Sequence, residues 1–170
     1  TCTVRSGLHI WAAAATAGAG ADSIRVRAAH AATELDGGDG DDVIHIGRIA
    51  PAEGSELTQV VAALSLVGGN GQDSLLLDSS GSAAALTGEL SRSRLSGMGL
   101  GADIGFDTIE DIRIELGDGD DQFTVASTAD SLAVTLHANR GADRIVVEAI
   151  NGPTTVDGGD GADTIEVLPS

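Results

Sequence analysis

The sequence predicts an all-β fold, specifically a right-handed parallel β-helix or β-roll solenoid with coils of about 20–22 residues. Three observations predict it: a repeated glycine–aspartate turn, short alternating apolar runs beside these turns, and very few aromatic side chains. We expect a single solenoid segment over residues 1–170, excised from a longer protein. Within it we expect an irregular loop near residues 47–56 and an atypical coil near residues 78–108.

The turn has the pattern Gly-x-Gly-x-Asp-x-U, in which U is a bulky apolar residue. Six copies span residues 18–24, 38–44, 69–75, 117–123, 139–145 and 159–165, and the fifth is degenerate because Asn139 replaces its first glycine. Their aspartates are separated by 20, 31, 48, 22 and 20 residues. The gaps of 20 and 22 suit one coil with two short strands. The gap of 31 is then one coil plus a loop of about ten residues, and the gap of 48 is about two coils, one without the turn signature.

Short runs with period-two alternation flank the turns and predict strands. They follow the turns at residues 24–26, 44–46, 123–125, 145–147 and 165–167, and precede them at residues 60–67, 112–116, 132–136 and 154–156. Residues 11–15 are compatible with a helix or with an irregular first coil. Residues 86–114 contain periodic apolar residues among glycines, so we expect further strands with glycine kinks in preference to a functional insertion.

The composition favours a thin core. Apolar residues make up 42% of the chain, but aromatic residues make up only 2%, so the apolar volume is mostly Ala, Val, Ile and Leu. Large globular cores usually depend on aromatic side chains. The shortage therefore favours narrow layers between stacked strands.

The charge is strongly acidic and is concentrated in the turns. The chain has 18 Asp, 8 Glu, 9 Arg and no Lys, for a net charge of -17, and eleven of the Asp lie within the six turns. A solvated acidic surface is the alternative, but the fixed offsets between carboxylates and glycines favour a metal. Such a charge disfavours binding to nucleic acid or to anionic membranes. The sequence has no apolar run long enough to predict membrane insertion.

The residue types of the turn suit calcium. Glycine permits tight turns with converging carbonyls, and aspartate supplies hard oxygen ligands for Ca²⁺, which takes six to eight of them. One turn offers too few ligands, whereas two turns stacked about 4.8 Å apart can share an ion. The candidate ligands are Asp22, Asp39, Asp41, Asp42, Asn70, Asp73, Asp118, Asp120, Asp121, Asp143, Asp160 and Asp163.

These turns resemble the nonapeptide G-G-x-G-x-D-x-U-x of the RTX (repeats-in-toxin) family. Residues 37–45, 68–76 and 158–166 match every fixed position, whereas Leu116 and Ala138 replace the leading glycine in two other copies. The resemblance implies a calcium-loaded, extracellular parallel β-roll. The family usually places its turns on both edges of the roll, nine residues apart; the spacing in this chain predicts turns on one edge only.

We therefore expect a non-enzymatic, calcium-binding structural module of an extracellular surface, adhesive or filament-forming protein. The alternative is an accessory folding or export module of a secreted enzyme or toxin. A solenoid enzyme acting on polysaccharide is less favoured, because the chain has no Lys, no Tyr and one Trp with which to hold a sugar. Its four histidines share no metal-ligand spacing.

The expected partners are calcium ions and neighbouring solenoid modules or further copies, stacked end to end. Exposed strand edges at the ends of a solenoid recruit other strands unless they are covered. The only cysteine, Cys2, could form an intermolecular disulfide or remain a free thiol.

Overall fold

The computed structural model describes residues 13–47 and 56–169, which form two β-sheets. The described residues contain no helix, and hence none that could span a membrane. The larger sheet contains β1 (Ala13–Ala19), β3 (Thr33–Asp39), β5 (Leu64–Asn70), β7 (Thr87–Ser91), β8 (Arg94–Gly97), β9 (Ile104–Asp107), β11 (Gln122–Ser127), β13 (Arg144–Ala149) and β15 (Thr164–Val167). The smaller sheet contains β2 (Ser23–Val26), β4 (Val43–Ile46), β6 (Ser74–Asp78), β10 (Asp111–Glu115), β12 (Ala133–His137) and β14 (Thr154–Asp157).

The chain passes back and forth between the two sheets, and most strand pairs are parallel. The larger sheet has the order β1-β3-β5-β9-β8-β7-β11-β13-β15, and the smaller one β14-β12-β10-β6-β4-β2. The all-β class with parallel sheets is therefore confirmed. Cys2 and residues 11–12 of the helix-compatible stretch lie outside the described residues, whereas Ala13 to Ala15 belong to β1 and are therefore extended.

Paired residues have the spacings expected from the turn aspartates. Gly18 pairs with Gly38, the interval of the first gap between turn aspartates, and Phe123 pairs with Ile145, the interval of the fourth gap. Between β3 and β5 the spacing is 31, and the additional residues lie in the link of residues 47–63. Most of the irregular loop expected near residues 47–56 lies outside the described residues.

One core cluster receives inward-facing side chains from both sheets. Buried and exposed residues alternate along the strands, as in β2 and β4. Because parallel pairing keeps equivalent residues adjacent, the buried side chains form rows across the strands. One row in the smaller sheet consists of Ile24, Ile44, Leu75, Ile112 and Val134.

The gap of 48 residues is not filled by two successive parallel coils. Instead β7, β8 and β9 form an antiparallel meander within the larger sheet, with Glu89 paired to Ser96 and Arg94 paired to Gly105. The meander places β9 beside β5 and β7 beside β11. The larger sheet therefore gains strands that have no counterpart in the smaller one.

The expectation that all six turns share one edge is wrong. The first three turns leave carboxyl ends of larger-sheet strands β1, β3 and β5, whereas the last three leave smaller-sheet strands β10, β12 and β14. The meander leaves the alternation of the two sheets unchanged, but the glycine–aspartate pattern next occurs after β10 of the smaller sheet and not after β9 of the larger one. We call the turns at residues 18–22, 38–42 and 69–73 the N-terminal row, and those at 117–121, 139–143 and 159–163 the C-terminal row.

Candidate metal-binding turns

The turns stack so closely that only glycine fits at several positions. Gly38 and Gly69 have φ angles of 99° and 114°, a region that L side chains rarely adopt. A Cβ on Gly38 would overlap the carbonyl oxygen of Gly18, and a Cβ on Gly69 would overlap that of Gly38. In the degenerate copy Asn139 takes a φ of 71°, which asparagine tolerates better than most residues.

The leading glycine of the motif makes room for the turn's own aspartate. A Cβ on Gly37 would collide with the Asp42 carboxylate, and a Cβ on Gly68 would lie 2.7 Å from the Cβ of Asp73. The motif thus folds each of these aspartates back over its own turn.

In the N-terminal row, the carboxylates of Asp42 and Asp73 each accept a hydrogen bond from the backbone of the preceding turn. The backbone N–H of Asp22 donates to Asp42 Oδ1 at 2.7 Å, and that of Asp42 donates to Asp73 Oδ1 at 2.8 Å. The backbone N–H of Asp73 donates to Oε2 of Glu110 at 2.8 Å. Glu110 therefore occupies the place of the next aspartate, although no glycine turn precedes it in the sequence.

Thr108 completes this end of the N-terminal row. Its Oγ1 accepts a hydrogen bond from the backbone N–H of Gly69 at 2.8 Å, and its backbone has a φ of 50°. A β-branched residue at positive φ is strained. The sequence gives no signal for this role of Thr108, because the residues around it do not match the turn motif. Its positive φ in the structure is what identifies it.

The C-terminal row repeats the same arrangement in the same direction. Leu86 N–H donates to Asp121 Oδ1 at 2.7 Å, Asp121 N–H to Asp143 Oδ1 at 2.7 Å, and Asp143 N–H to Asp163 Oδ1 at 3.1 Å. Gly117 N–H also donates to the second oxygen of Asp121, at 3.1 Å. Asp121 is thus the aspartate of this row with both oxygens bound.

Three buried aspartates keep one oxygen without a partner. Asp42, Asp73 and Asp143 are each 1% exposed, and no hydrogen bond reaches their Oδ2 atoms. Burial raises the pKa of Asp73 and of Asp143, and neighbouring carboxylates raise it further, against the lowering effect of the backbone hydrogen bond. A buried carboxylate oxygen in this position is stabilised by a proton, an ordered water or a cation.

The outer carboxylates of the N-terminal row contact neighbouring turns. Asn70 Nδ2 donates to Asp39 Oδ1 at 2.8 Å, and Gln72 N–H donates to Asp41 Oδ1 at 2.9 Å. These contacts bring Asp39, Asp41 and Asn70 to the exposed rim beside the buried Asp42 and Asp73.

The C-terminal row has equivalent outer contacts. Ala142 N–H donates to Asp120 Oδ1 at 2.8 Å, and Asp118 forms a 3.4 Å ion pair with Arg140. Asp160 lies beside Arg140 in a parallel bridge. Arg140 therefore supplies positive charge among the acidic side chains of this row.

The side-chain oxygens of the turns could coordinate a hard cation such as Ca²⁺ only together with backbone carbonyl oxygens. In residues 13–47 and 56–169, no three side chains of His, Cys, Asp or Glu converge into a metal cluster. Ca²⁺ accepts backbone carbonyls and water beside carboxylates, and the turns provide a carboxylate oxygen without a partner in three of the stacked copies. The carboxylates would anchor the ion, and turn carbonyls would complete its coordination.

The histidines of the smaller sheet take part in a separate polar group. His45 Nε2 lies 3.8 Å from Asp78 Oδ2, and His137 Nδ1 lies 3.0 Å from Glu115 Oε1. Burial alone would raise the pKa of Asp78, but the nearby His45 imidazole and hydrogen bonds from the backbone N–H and hydroxyl of Ser80 lower it to about 2. These side chains thus interact with carboxylates outside the two rows of turns.

The fold and the turns together define an acidic, parallel-stranded repeat protein with two rows of buried aspartates. The chain matches no known protein family, and comparisons with characterised proteins and with solved structures find no relative. Function must therefore be inferred from the chemistry of the turns.

Mild acid should stabilise the metal-free protein. A carboxyl whose folded pKa is raised contributes stability that is present below its ordinary pKa and is lost as the pH rises through the folded value. Lowering the pH from neutrality through the raised pKa values of Asp73 and Asp143 should therefore increase the strand signal of the metal-depleted chain and raise its melting temperature. Below the ordinary pKa of 3.8 the trend should reverse, because Asp78 then loses its charged interactions.

Melting curves across the pH series test this expectation. Asp73→Asn and Asp143→Asn should each flatten the rise, whereas Asp130→Asn, on an exposed residue outside the turns, should leave it unchanged. A melting temperature that falls steadily on acidification from neutrality would contradict the expectation.

Proposed function

We propose that this chain is a non-enzymatic structural module that binds calcium between stacked glycine–aspartate turns of a right-handed parallel β-solenoid. The observation that carries the proposal is the set of three buried Oδ2 atoms, on Asp42, Asp73 and Asp143, that have no hydrogen-bond partner. All three recur at the same motif position. Because a calcium ion can neutralise carboxylates of consecutive turns, it would bridge the turns and stabilise their stacking.

The charge distribution supports a role for cations in folding. Consecutive turns bring carboxylates together, as in Asp41, Asp42 and Asp73, whose mutual repulsion contributes to the raised pKa of Asp73. With a net charge of -17, the stacked state is opposed by self-repulsion. Calcium bound only by the folded state adds its binding free energy to stability.

The proposed setting is extracellular, as part of a surface, adhesive or filament-forming protein. Extracellular calcium-binding modules commonly work with affinities of 10⁻⁴–10⁻³ M, for which few carboxylates per ion suffice. The repetition of one turn supports a scaffold, since the acidic groups follow two long rows and are not gathered around a single cleft. The same rows disfavour nucleic acid as a partner.

Calorimetric titration with calcium tests the proposal. Asp73→Asn removes a charge from the N-terminal row and Asp143→Asn from the C-terminal row; each should lower the number of ions bound or weaken their binding about ten-fold or more. Because the rows leave strands of different sheets, the two losses should add in the double variant. Asp130→Asn is the matched control, with the same chemical change on an exposed residue outside the turns.

The decisive comparison is between the row variants and the control. Calcium binding that is the same in Asp73→Asn, Asp143→Asn and the native chain would place the ions elsewhere. No heat of binding at any calcium concentration, with the fold intact by circular dichroism, would refute the proposal.

A further inference from the structure

The N-terminal row ends against a segment that lacks the turn motif. The chain passes from β9 to β10 through residues 108–110 alone, which we call the closing link. Ile109 is 6% exposed and anchors the closing link in the core. The backbone N–H groups of Glu110 and Asp111 both donate to the carbonyl oxygen of Asp73, each at 3.1 Å. The closing link therefore stacks directly on the last turn of the row.

The closing link supplies the carbonyl oxygen that a further motif turn would supply. A Cβ on Gly37 would overlap both the carbonyl oxygen of Gly68 and Oδ2 of Asp42. One turn further on, a Cβ on Gly68 would overlap the carbonyl oxygen of Thr108 and Oδ2 of Asp73. Neither Oδ2 atom has a hydrogen-bond partner. The unpartnered oxygen of each aspartate thus lies beside a backbone oxygen of the segment that follows.

The hydroxyl of Thr108 keeps the second oxygen of Asp73 free. In the C-terminal row, the backbone N–H of Gly117 donates to Oδ2 of Asp121. Gly69 has the same motif position in the third turn, but its N–H donates to Thr108 Oγ1 at 2.8 Å. Because this donor is engaged elsewhere, Oδ2 of Asp73 has no partner, although Asp73 is buried.

The second turn shows the same relation. The backbone N–H of Gly38 donates to Asp36 Oδ1 at 3.0 Å, and Oδ2 of Asp42 is left without a partner. In both copies, an acceptor other than the turn's own aspartate takes the glycine N–H. The aspartate oxygen that this N–H would otherwise satisfy remains available to a cation.

Glu110 adds a second carboxylate at this end of the row. Its Oε2 accepts the backbone N–H of Asp73 at 2.8 Å, and its charge contributes to the raised pKa of Asp73. The corresponding end of the C-terminal row differs, because residues 79–86 contain no Asp or Glu. There the backbone N–H of Leu86 meets Oδ1 of Asp121, whose other oxygen is already satisfied. Only the N-terminal row therefore closes with a carboxylate.

We propose that the N-terminal row ends in a further calcium site, formed by the carboxylates of Asp73 and Glu110 and the backbone carbonyl of Thr108. These are hard oxygen donors of the kind that Ca²⁺ takes, and water completes its coordination. The hydroxyl of Thr108 is a positioning group, since it withholds the Gly69 N–H from the ligand oxygen. The site rests on the proposed function and extends it to residues outside the glycine–aspartate motif.

Glu110→Gln tests the carboxylate. An amide oxygen can still accept the Asp73 N–H, so the variant removes the charge and keeps the hydrogen bond. Calorimetric titration with calcium chloride should show one ion fewer than in the native chain, or binding about ten-fold weaker at one site. Glu89→Gln, the same change on an exposed residue of β7, is the matched control and should bind as the native chain does.

The sign of the stability change separates a ligand from a structural residue. In excess chelator, Glu110→Gln should retain at least as much strand signal in circular dichroism as the native chain, because one repulsion at Asp73 is gone. In saturating calcium, it should melt at a lower temperature than the native chain, because one ion is missing. A purely structural role for Glu110 would lower stability under both conditions.

Thr108 is tested by a pair of variants. Thr108→Val removes the hydroxyl and frees the Gly69 N–H to bind Asp73 Oδ2, as Gly117 binds Asp121. It should weaken one calcium site about ten-fold without any change in charge. Thr108→Ser keeps the hydroxyl and should keep the native affinity.

Two results would overturn the proposal. One is calcium binding in Glu110→Gln equal to that of the native chain and of Glu89→Gln. The other is a loss of stability in Glu110→Gln in chelator and in calcium alike. Equal calcium binding by Thr108→Val and Thr108→Ser would reject the role of the hydroxyl.

Asp143→Asn, in the C-terminal row, keeps this site apart from the proposed function. If Asp143→Asn lowers calcium binding and Glu110→Gln does not, only the site at the closing link is rejected. If none of these chains binds calcium, both proposals are rejected.

Discussion

Replacing Gly69 by alanine is expected to destabilise the protein by about 3 kcal/mol or more, a large part of the total stability of a domain. Two effects combine at this position. The φ of 114° costs an L side chain about 1–2 kcal/mol, and the new methyl group would overlap the carbonyl oxygen of Gly38 in the turn below. Relief of the overlap requires the two turns to separate, which breaks the adjoining carboxylate hydrogen bonds.

Alanine substitutions at two further glycines separate the cost of backbone strain from the cost of steric overlap. Gly18 has a φ of 122° but no heavy atom within 4 Å of a Cβ built on it, so Gly18→Ala should cost only the backbone strain. Gly105 has an ordinary φ, and its nearest neighbour would lie 3.8 Å from a Cβ, so Gly105→Ala should be nearly neutral. Urea unfolding measures all three. A cost at Gly69 no larger than that at Gly18 would mean that the turns do not stack as closely as described.

Removal of calcium is expected to have the second large effect. At a calcium concentration of about 100 times the dissociation constant, each independent site should add about 2.7 kcal/mol to the free energy of unfolding. Three such sites would together add about 8 kcal/mol, which is comparable with the whole stability of an ordinary domain. The metal-free chain near neutral pH should therefore lose most of its strand signal in circular dichroism and regain it when calcium is added.

Screening of charge has to be separated from binding. Sodium chloride at the ionic strength of the calcium buffer is the control. It screens the repulsion between exposed carboxylates but supplies no divalent cation that carboxylates would coordinate. We expect little recovery with sodium and full recovery with calcium. A complete strand signal in excess chelator, with an unchanged melting temperature, would exclude calcium as the folding trigger.

Much of the strand register could be predicted from the sequence. The interval between Asp22 and Asp42 is also the interval between Ser23 and Val43, which pair in the smaller sheet. This agreement has a physical cause: parallel strands in a repeat place equivalent residues side by side, so the turn interval and the pairing interval must coincide.

The arrangement of the turns could not be predicted in the same way. The turn at Asp73 and the turn at Asp121 have the same local pattern, although they leave strands of different sheets. Between the two turns lies the antiparallel meander, where a Cβ on Gly97 would overlap the carbonyl oxygen of Thr87. Such close antiparallel contact depends on tertiary packing, and periodicity alone does not distinguish it from a further parallel strand.

The residues that close the N-terminal row were also beyond the sequence pattern. Glu110 binds the backbone N–H of Asp73 in place of an aspartate, and Thr108 binds that of Gly69. Neither residue has the glycines that mark the other turns. Their role follows from β9 lying beside β5, which pairs Leu64 with the distant Ile104.

The direction of the carboxylate hydrogen bonds has a consequence for a growing polypeptide. Each turn donates a backbone N–H to a carboxylate that comes later in the chain. The N–H of Asp22 donates to Asp42, the N–H of Asp42 to Asp73, and the N–H of Asp73 to Glu110. Chains emerge amino terminus first from the ribosome. A nascent segment that ends just after Asp73 therefore lacks the acceptor that locks its newest turn. Each turn is secured only when the following segment arrives, so order should spread along the emerging chain one segment behind its leading edge of synthesis.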